Sequence, residues 1–273
     1  MSVEKKISVA LCVRNEAEQL NACMSTLSFS DEIVVVLDRC TDSSKSIADK
    51  YNATIVEGNW PNEGARRHAA IDHCTGDWIL EVDADERVSP ALSIEIITVI
   101  KGVSDGYFLV PFDNYIGTQL VRYGWGGSWG VSAAPRLFTP GSKTWGKARI
   151  HPPLTLKGFR GRLREPMKHY VDKNLSDMIA RLERYTDARA KDLLADNKIL
   201  CPFWWTIRRS ISRFIKCYFF RKGYREGRWG FTIALMAALF PLIAHLKAEL
   251  EQTACLDDKE KNIKLTKRRK LSS

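Results

Sequence analysis

Apolar runs and polar helical stretches alternate along the first hundred residues. Ile7–Val13 is apolar and rich in β-branched residues, so it reads as a buried strand. Arg14-Asn15-Glu16 follows it, then a helix-like stretch through Leu27. Ile33–Leu37 is a second strand, ending in the polar turn Asp38–Ser43, which can cap a helix over about residues 44–51. Ala53–Val56 reads as a third strand, Glu63–Cys74 as a helix and Trp78–Val82 as a fourth strand. Ser89-Pro90 opens a further helix to Lys101, with proline in its first turn. This alternation predicts an α/β fold, a mostly parallel sheet with helices on both faces. No Gly-x-Gly-x-x-Gly follows the first strand, which disfavours a dinucleotide-binding domain.

The pattern changes after the aromatic strand Gly106–Phe112. Tyr123–Gly130 is a glycine- and tryptophan-rich segment that cannot be regular helix. Its tryptophans read either as buried anchors of a loop or as a flat platform for an acceptor sugar. Arg136–Phe138 is a short strand, and Ile150-His151-Pro152-Pro153 closes the irregular region. Asn174 caps a long helix whose apolar stripe is Leu175, Met178, Ile179, Leu182 and Tyr185. Further on, Trp204, Ile207, Ile211, Phe214 and Tyr218 recur at helical spacing, with Arg208, Arg209, Arg213 and Lys216 between them, the pattern of an interfacial amphipathic helix. Trp229–Leu246 is a run of 18 residues without formal charge, about 27 Å long as a helix. The expected organisation is a catalytic domain over residues 1–170, a helical membrane-associating region over 171–250, and a disordered charged tail over 251–273.

Charge sharpens that division. The net charge is +10, yet residues 1–100 hold 9 Lys/Arg against 17 Asp/Glu, so the excess of positive charge belongs to the remainder. A basic second half facing something anionic suits either nucleic acid or an anionic membrane surface. The seven cysteines include no Cys-x-x-Cys pair and read as reduced thiols. The stretch before and within the first strand is too short for a signal peptide, and a cytoplasmic location is expected.

The chemistry concentrates at Trp78–Glu86. An apolar run ending in Asp83-Ala84-Asp85-Glu86 delivers carboxylates to the end of a strand where open α/β sheets place ligands. Carboxylate oxygens suit a hard divalent cation that bridges to a diphosphate, although acidic pairs are also common at ordinary strand–loop junctions. His68, His73 and Cys74 lack further ligands at suitable spacing, and no zinc site is expected there.

Taken together, Ala10–Glu16, Ile33–Asp38 with Thr41-Asp42, Gly64-Ala65-Arg66-Arg67 and Asp83–Glu86 resemble the family 2 glycosyltransferases with a GT-A fold. Within that family the chain is most similar to lipopolysaccharide inner-core β-glucosyltransferases. Those share the Asp-Ala-Asp-Glu-Arg-Val segment, a central Gly-Trp, the Arg-Leu-Phe strand and a basic amphipathic C-terminus. The resemblance implies inverting transfer of a hexose, glucose in the first instance, from a UDP-sugar to a lipopolysaccharide inner-core or other lipid-linked saccharide acceptor. It implies a divalent cation, Mg²⁺ or Mn²⁺, held by Asp85 with Asp83 and His151 nearby, which neutralises the leaving diphosphate. Asn15, Glu16, Asp38, Gly64, Arg67 and Asp83 match donor-binding positions, Asp38 the one that recognises uracil. Relatives carry His-Glu where this chain has His151-Pro152, which leaves Glu86 and Asp113 as candidates for the general base. Without the resemblance, Asp38 and Asp42 read as helix caps, Arg67 as part of a solvated helix face and His151 as a structural histidine beside proline. The expected setting is the cytoplasmic face of the inner membrane, peripheral or monotopic, with no nucleic-acid partner. Two alternatives stand beside this. A sugar nucleotidyltransferase wants a Gly-rich basic signature that Arg14-Asn15-Glu16 does not provide, and a basic nucleic-acid or membrane adaptor leaves the acidic strand end without a purpose.

Overall fold

The computed structural model describes residues 5–126, 129–146, 154–195 and 200–271, with side chains described as far as residue 253. The chain divides into two compact units, one of residues 1–122 and 131–175, the other of residues 123–130 and 176–273.

The first unit is α/β, as the alternating pattern predicts. Its strands β1 (Ile7–Val13), β2 (Glu32–Asp38), β3 (Thr54–Gly58) and β4 (Trp78–Val82) alternate with helices α1 (Ala17–Met24), α2 (Ser44–Lys50) and α3 (Glu63–Asp72). There follow β5 (Glu86–Arg87), α4 (Pro90–Lys101), β6 (Gly106–Ile116), β7 (Gln119–Val121), β8 (Ala133–Phe138), β9 (Lys143–Trp145), β10 (Leu154–Leu156), β11 (Phe159–Arg162) and β12 (Met167–Asp172). Strands β3, β2, β1 and β4 lie side by side and parallel. β8 then joins antiparallel to both β4 and β6, so the sheet is mixed, while β6 pairs parallel with β11 and β12. Every residue of β1 is buried, because a central parallel strand is covered on both faces, and this is why it reads as an apolar run broken only by Ser8. On one face, Leu20 and Met24 of α1, Ile47 of α2 and Leu92, Ile96 and Ile100 of α4 pack against the sheet. On the other, Ala70 of α3 packs with Ala10, Cys12, Val36, Ile79 and Phe138. Burying one such leucine or isoleucine contributes about 1.5–3 kcal/mol as an upper figure.

The strand order places a switch point between β1 and β4. Chain direction runs from β1 outward through β2 to β3, then returns to the other side of β1 as β4. The loops leaving β1 and β4 therefore diverge and open a crevice at the carboxyl ends of the strands. α4 begins as expected, with Ser89 accepting from the Leu92 amide at 3.1 Å and Pro90 in its first turn. β6 is longer than the apolar run suggested and reaches Ile116, because β12 and β7 supply hydrogen-bond partners for its second half.

The second unit is helical. α5 (Leu175–Ala195) begins at its boundary, and α6 (Phe203–Ile215) leads through a wide turn at Lys216–Phe220 to α7 (Gly227–Leu271). The return between α6 and α7 uses positive φ at Lys222 (58°) and Gly227 (53°). It also needs glycine at 230, where a Cβ would sit 1.8 Å from the Gly223 carbonyl oxygen. Two expectations are corrected here. The buried face of α5 carries Met178, Arg181, Leu182, Thr186 and Ala190, whereas Leu175 and Ile179 of the expected stripe are exposed, because the helix packs along its i, i+4 row through Met178 and Leu182. The tail expected to be disordered continues α7 to Leu271, consistent with its lysines and arginines, good helix formers. Trp125 and Trp129 are buried, and the Arg181 guanidinium lies 4.1 Å from the Trp129 ring centroid, so they are anchors within this unit rather than an open platform.

Candidate active site

Three segments of the first unit converge at the crevice. The β1–α1 loop contributes Asn15 and Glu16, the end of β4 contributes Asp83, Asp85 and Glu86, and β12 contributes His169. Asn15 adopts a positive φ of 55° and its side-chain oxygen accepts from the Thr41 amide at 2.8 Å, which ties the loop after β1 to the loop after β2. Asparagine tolerates that backbone better than most residues.

The acidic segment is split by its neighbours into two different chemistries. Asp83 is clamped by two guanidiniums, Arg67 at 3.0 Å and Arg136 in a closer contact. Burial alone would raise its carboxyl, but Arg136 and Arg67 hold it well below the usual carboxylate range. Beneath it lies Glu81, buried, within 2.6 Å of Arg67 and 3.0 Å of both Arg136 and Lys143. Burial pushes Glu81 up, yet Lys143, Arg67 and Arg136 bring it down to about 2. Trp145 donates its indole N–H to the same carboxylate at 3.2 Å and lies under Arg67, 5.1 Å from the guanidinium carbon. Lys143 is in turn lowered to about 8, by burial first, against the pull of Glu81.

Asp85 is different. Its backbone carbonyl accepts from the Tyr170 amide at 2.9 Å, which fixes the loop to β12. Its Oδ2 lies 3.5 Å from His169 Nε2, while its Oδ1 is buried without a hydrogen-bond partner. The His169 Nδ1–H donates to the Asn114 side-chain oxygen at 2.8 Å, which orients Nε2 toward Asp85. Burial lowers the basicity of His169, but the hydrogen bond and charge of Asp85, then Glu86, raise it overall.

These donors fit a divalent cation. A buried carboxylate oxygen without a hydrogen-bond partner, beside an oriented imidazole, could hold such an ion, Mn²⁺ more readily than the oxygen-preferring Mg²⁺. Asp83 is committed to its two arginines. Among the described residues there is no cluster of three or more His, Cys, Asp or Glu arranged to hold a metal ion. A cation here would therefore take most of its ligands from a bound substrate, as Mg²⁺ commonly does with phosphates.

Glu16 also faces this point. Its carboxyl is pushed up to about 7, by burial first and then by the negative charges of Asp85 and Asp83. An acid raised in this way keeps its proton in the folded state after the unfolded chain has released it. Stability attributable to Glu16 is thus greatest below its ordinary value of 4.5 and declines as pH rises toward about 7. The Glu16→Gln protein is expected to show a flatter stability–pH curve across that window, measured by urea unfolding in a pH series.

The remaining expected residues fall into distinct places. Asp38 is buried and held by Arg39, with Nε–Oδ1 at 2.8 Å and Nη2–Oδ2 at 3.0 Å; Arg39 lowers its carboxyl against the effect of burial. It does not cap α2. Asp42 does that work instead, accepting from the Ser44 amide at 3.1 Å and from the Ala17 amide at 2.9 Å. Gly64 lies against the backbone of residue 146, where a Cβ would meet the Gly146 carbonyl oxygen at 2.3 Å. Arg67 is buried within the ion cluster rather than on a solvated helix face. Glu86 is fully buried, paired with Arg136 and accepting from the Asp83 amide at 2.9 Å, so it braces the loop from below. Asp113 is paired with Arg122 at 3.1 Å and lies on the face of β6 opposite Phe112 and Asn114, away from His169. His151 lies outside the described residues.

Sequence reasoning missed Glu81, Arg136, Lys143 and His169. Glu81 carried a signal, a carboxylate inside an otherwise apolar strand, which demands cationic partners. The partners themselves come from β8, β9 and β12, and nothing local marks them.

A family model described as glycosyl transferase family 2 matches residues 8–215. An uncharacterized glycosyltransferase of Rickettsia conorii is 25% identical over 267 residues, covering 87% of each chain. A lipopolysaccharide core biosynthesis glycosyltransferase, LpsC, of Rhizobium meliloti is 21% identical over 259 residues, covering 88% of this chain and 91% of its own. Among solved structures, glucosyl-3-phosphoglycerate synthase from Mycobacterium tuberculosis, in complex with Mn²⁺, UDP-glucose and phosphoglyceric acid, aligns with a TM-score of 0.35 at 20% identity. That alignment covers 40% of this chain and 44% of the synthase, so the chain spans less than half the length of that structure.

Proposed function

Because this chain belongs to glycosyl transferase family 2, we propose that it moves a hexose, glucose in the first instance, from a UDP-sugar to a lipid-linked saccharide of the lipopolysaccharide core type, with inversion. The observation that carries the reading is the buried, unpartnered Asp85 Oδ1 beside the oriented Nε2 of His169, at the switch point of the sheet. Asp85 and His169 would hold Mg²⁺ or Mn²⁺, which when bound neutralises the charge that develops on the departing diphosphate. Asp83, kept ionised by Arg67 and Arg136, is the anchored acceptor for donor hydroxyl groups. Asn15, Glu16, Asp38 and Gly64 would serve as donor-side residues, with Arg39, now paired with Asp38, moving aside if the uracil ring is to reach Asp38. The lipid-linked acceptor is supported by the name of the LpsC relative, and an acceptor of that kind would bring the enzyme to a membrane surface.

The test is UDP release from a panel of UDP-hexoses with Mg²⁺ or Mn²⁺, followed by transfer to a lipid-linked core saccharide. Cation-dependent release and transfer from one UDP-hexose is the expected result. No release from any UDP-sugar overturns the reading. The metal assignment is checked separately by Mn²⁺ titration in the presence of UDP. His169→Ala is expected to weaken Mn²⁺ binding by about tenfold or more, and His151→Ala measures whether His151 holds the cation as well. Binding kept in His169→Ala and lost in His151→Ala would give the metal role to His151 alone.

A further inference from the structure

Helix α6 of the second unit is turned inside out for a helix of a water-soluble protein. On α6, Trp204 and Ile211 are each 55% exposed and Ile215 is 40% exposed, while the buried positions are Thr206 and Ser210. A helix packed on a soluble core turns its apolar stripe inward. Here the stripe points away from the protein, and small polar side chains face inward. On α7 the buried residues include Ala234, Ala237, Ala244 and Ala248 alongside the larger Ile233, Met236 and Phe240. Thr206 Oγ1 lies 3.3 Å from His245 Nδ1, a buried polar contact from one helix to the other. Small residues and hydrogen-bonding side chains between helices, with bulky apolar groups outside, is the arrangement favoured when the surroundings are lipid.

Charge identifies the lipid. Between Trp204 and Arg228 there are eight Lys/Arg and one Asp/Glu. Arg208, Arg209 and Lys216 are exposed and, at 100° per residue, fall along one flank of the outward apolar arc. The turn that follows carries Phe219 and Phe220, both exposed, next to Arg221 and Lys222. A second copy docking through this face would bring the same cations together. A bilayer with anionic headgroups offers both an apolar interior and a compensating charge. The helical segment Gly223–Thr253, most of it in α7, is also long and apolar enough to cross a membrane, with half of its most apolar 18-residue stretch buried in the protein.

We propose that the α6–α7 hairpin is a monotopic membrane foot. The outward face centred on Trp204, Ile211 and Ile215 enters the headgroup–acyl boundary of an anionic bilayer, and the arginine flank lies against the phosphates. The proposal rests on the membrane-borne acceptor described above and adds the surface that meets the membrane.

The experiment uses the full chain in sedimentation with vesicles of phosphatidylcholine alone, or of phosphatidylcholine mixed with phosphatidylglycerol. The expected result is binding to both, stronger with phosphatidylglycerol, with only that excess removed by salt. Ile211→Glu combined with Ile215→Glu is expected to cut binding to both vesicles by about tenfold or more. Arg208→Glu combined with Arg209→Glu is expected to remove mainly the phosphatidylglycerol preference. These positions are exposed, so UDP binding should be unchanged in both variants and reports that they are folded. Wild-type protein that stays in the supernatant overturns the proposal, as does a dimer in light scattering that the isoleucine variant dissociates. Vesicle binding without UDP-sugar turnover would instead defeat the proposed activity and leave the membrane foot standing.

Discussion

Replacing Asp85 with alanine is expected to lower sugar transfer by about a thousandfold or more, while the melting temperature moves by only a few degrees. The structure makes the two effects separable. Asp85 Oδ1 has no protein partner and Oδ2 meets His169 only at 3.5 Å, so the fold loses little when the carboxylate is removed. Losing it also relieves Glu16, whose carboxyl Asp85 helps to push up. Asp83→Ala is expected to behave otherwise, although the two residues are neighbours in one motif. It strips a carboxylate from Arg67 and Arg136, both buried, and the loss should approach the 3–5 kcal/mol typical, to order of magnitude, of a broken buried ion pair. Turnover and thermal unfolding of both variants check this. Transfer that survives in Asp85→Ala, or in wild type with excess chelator, would remove the cation from the reaction.

The largest stability effect is expected at Arg136. Its Nη1 lies 3.0 Å from Glu81 and its Nη2 contacts both Asp83 and Glu86, so one buried guanidinium serves three carboxylates. Arg136→Met should lower the unfolding free energy by about 3–5 kcal/mol, because the carboxylates remain buried after their partner is gone. Glu86 suffers most, since burial already raises its carboxyl and Arg136 is the chief influence against that rise. In the variant its folded-state proton affinity climbs further above the unfolded value. The folded protein then keeps a proton that the unfolded chain releases, and the destabilisation should be smaller at acid pH than at alkaline pH. Arg136→Lys should rescue little, because a single ammonium cannot present the guanidinium fork to three acceptors. Urea unfolding at several pH values measures all of this. A loss below about 1 kcal/mol, the worth of a solvated ion pair, would mean that the cluster is open to water in solution.

The two variants also bear on how the acidic motif divides its labour. Asp83 and Asp85 are separated by one residue, yet one is neutralised by the protein and the other is left with an unmet oxygen. A site that is to accept a cation only together with its substrate needs such a division. Were both carboxylates free, their mutual repulsion would raise at least one proton affinity into the range where protons compete with the metal.

Sequence alone determined what depends on neighbours along the chain. The bounds of β1 and β4 follow from apolar runs that only a doubly covered strand makes favourable, and Ser89-Pro90 marks the start of α4 because capping is local. The grouping of Asp83, Asp85 and Glu86 was legible for the same reason. Tertiary structure decided what each side chain meets. Arg136, Lys143 and His169 reach the acidic segment because β8, β9 and β12 are folded beside it, an outcome of strand order that no local pattern encodes. Asp113, read as a strand end, lies in the middle of β6 because pairing with β12 and β7 extends that strand, and the alternation of side chains then turns it from His169. The two central tryptophans had the same chemistry in either reading, and only their burial, Trp129 under Arg181, made them anchors. For α6, periodicity established that the helix has an apolar side but not which way that side points. In the structure Thr206 and Ser210 are its buried positions, Thr206 against His245 of α7, and Trp204 and Ile211 face outward.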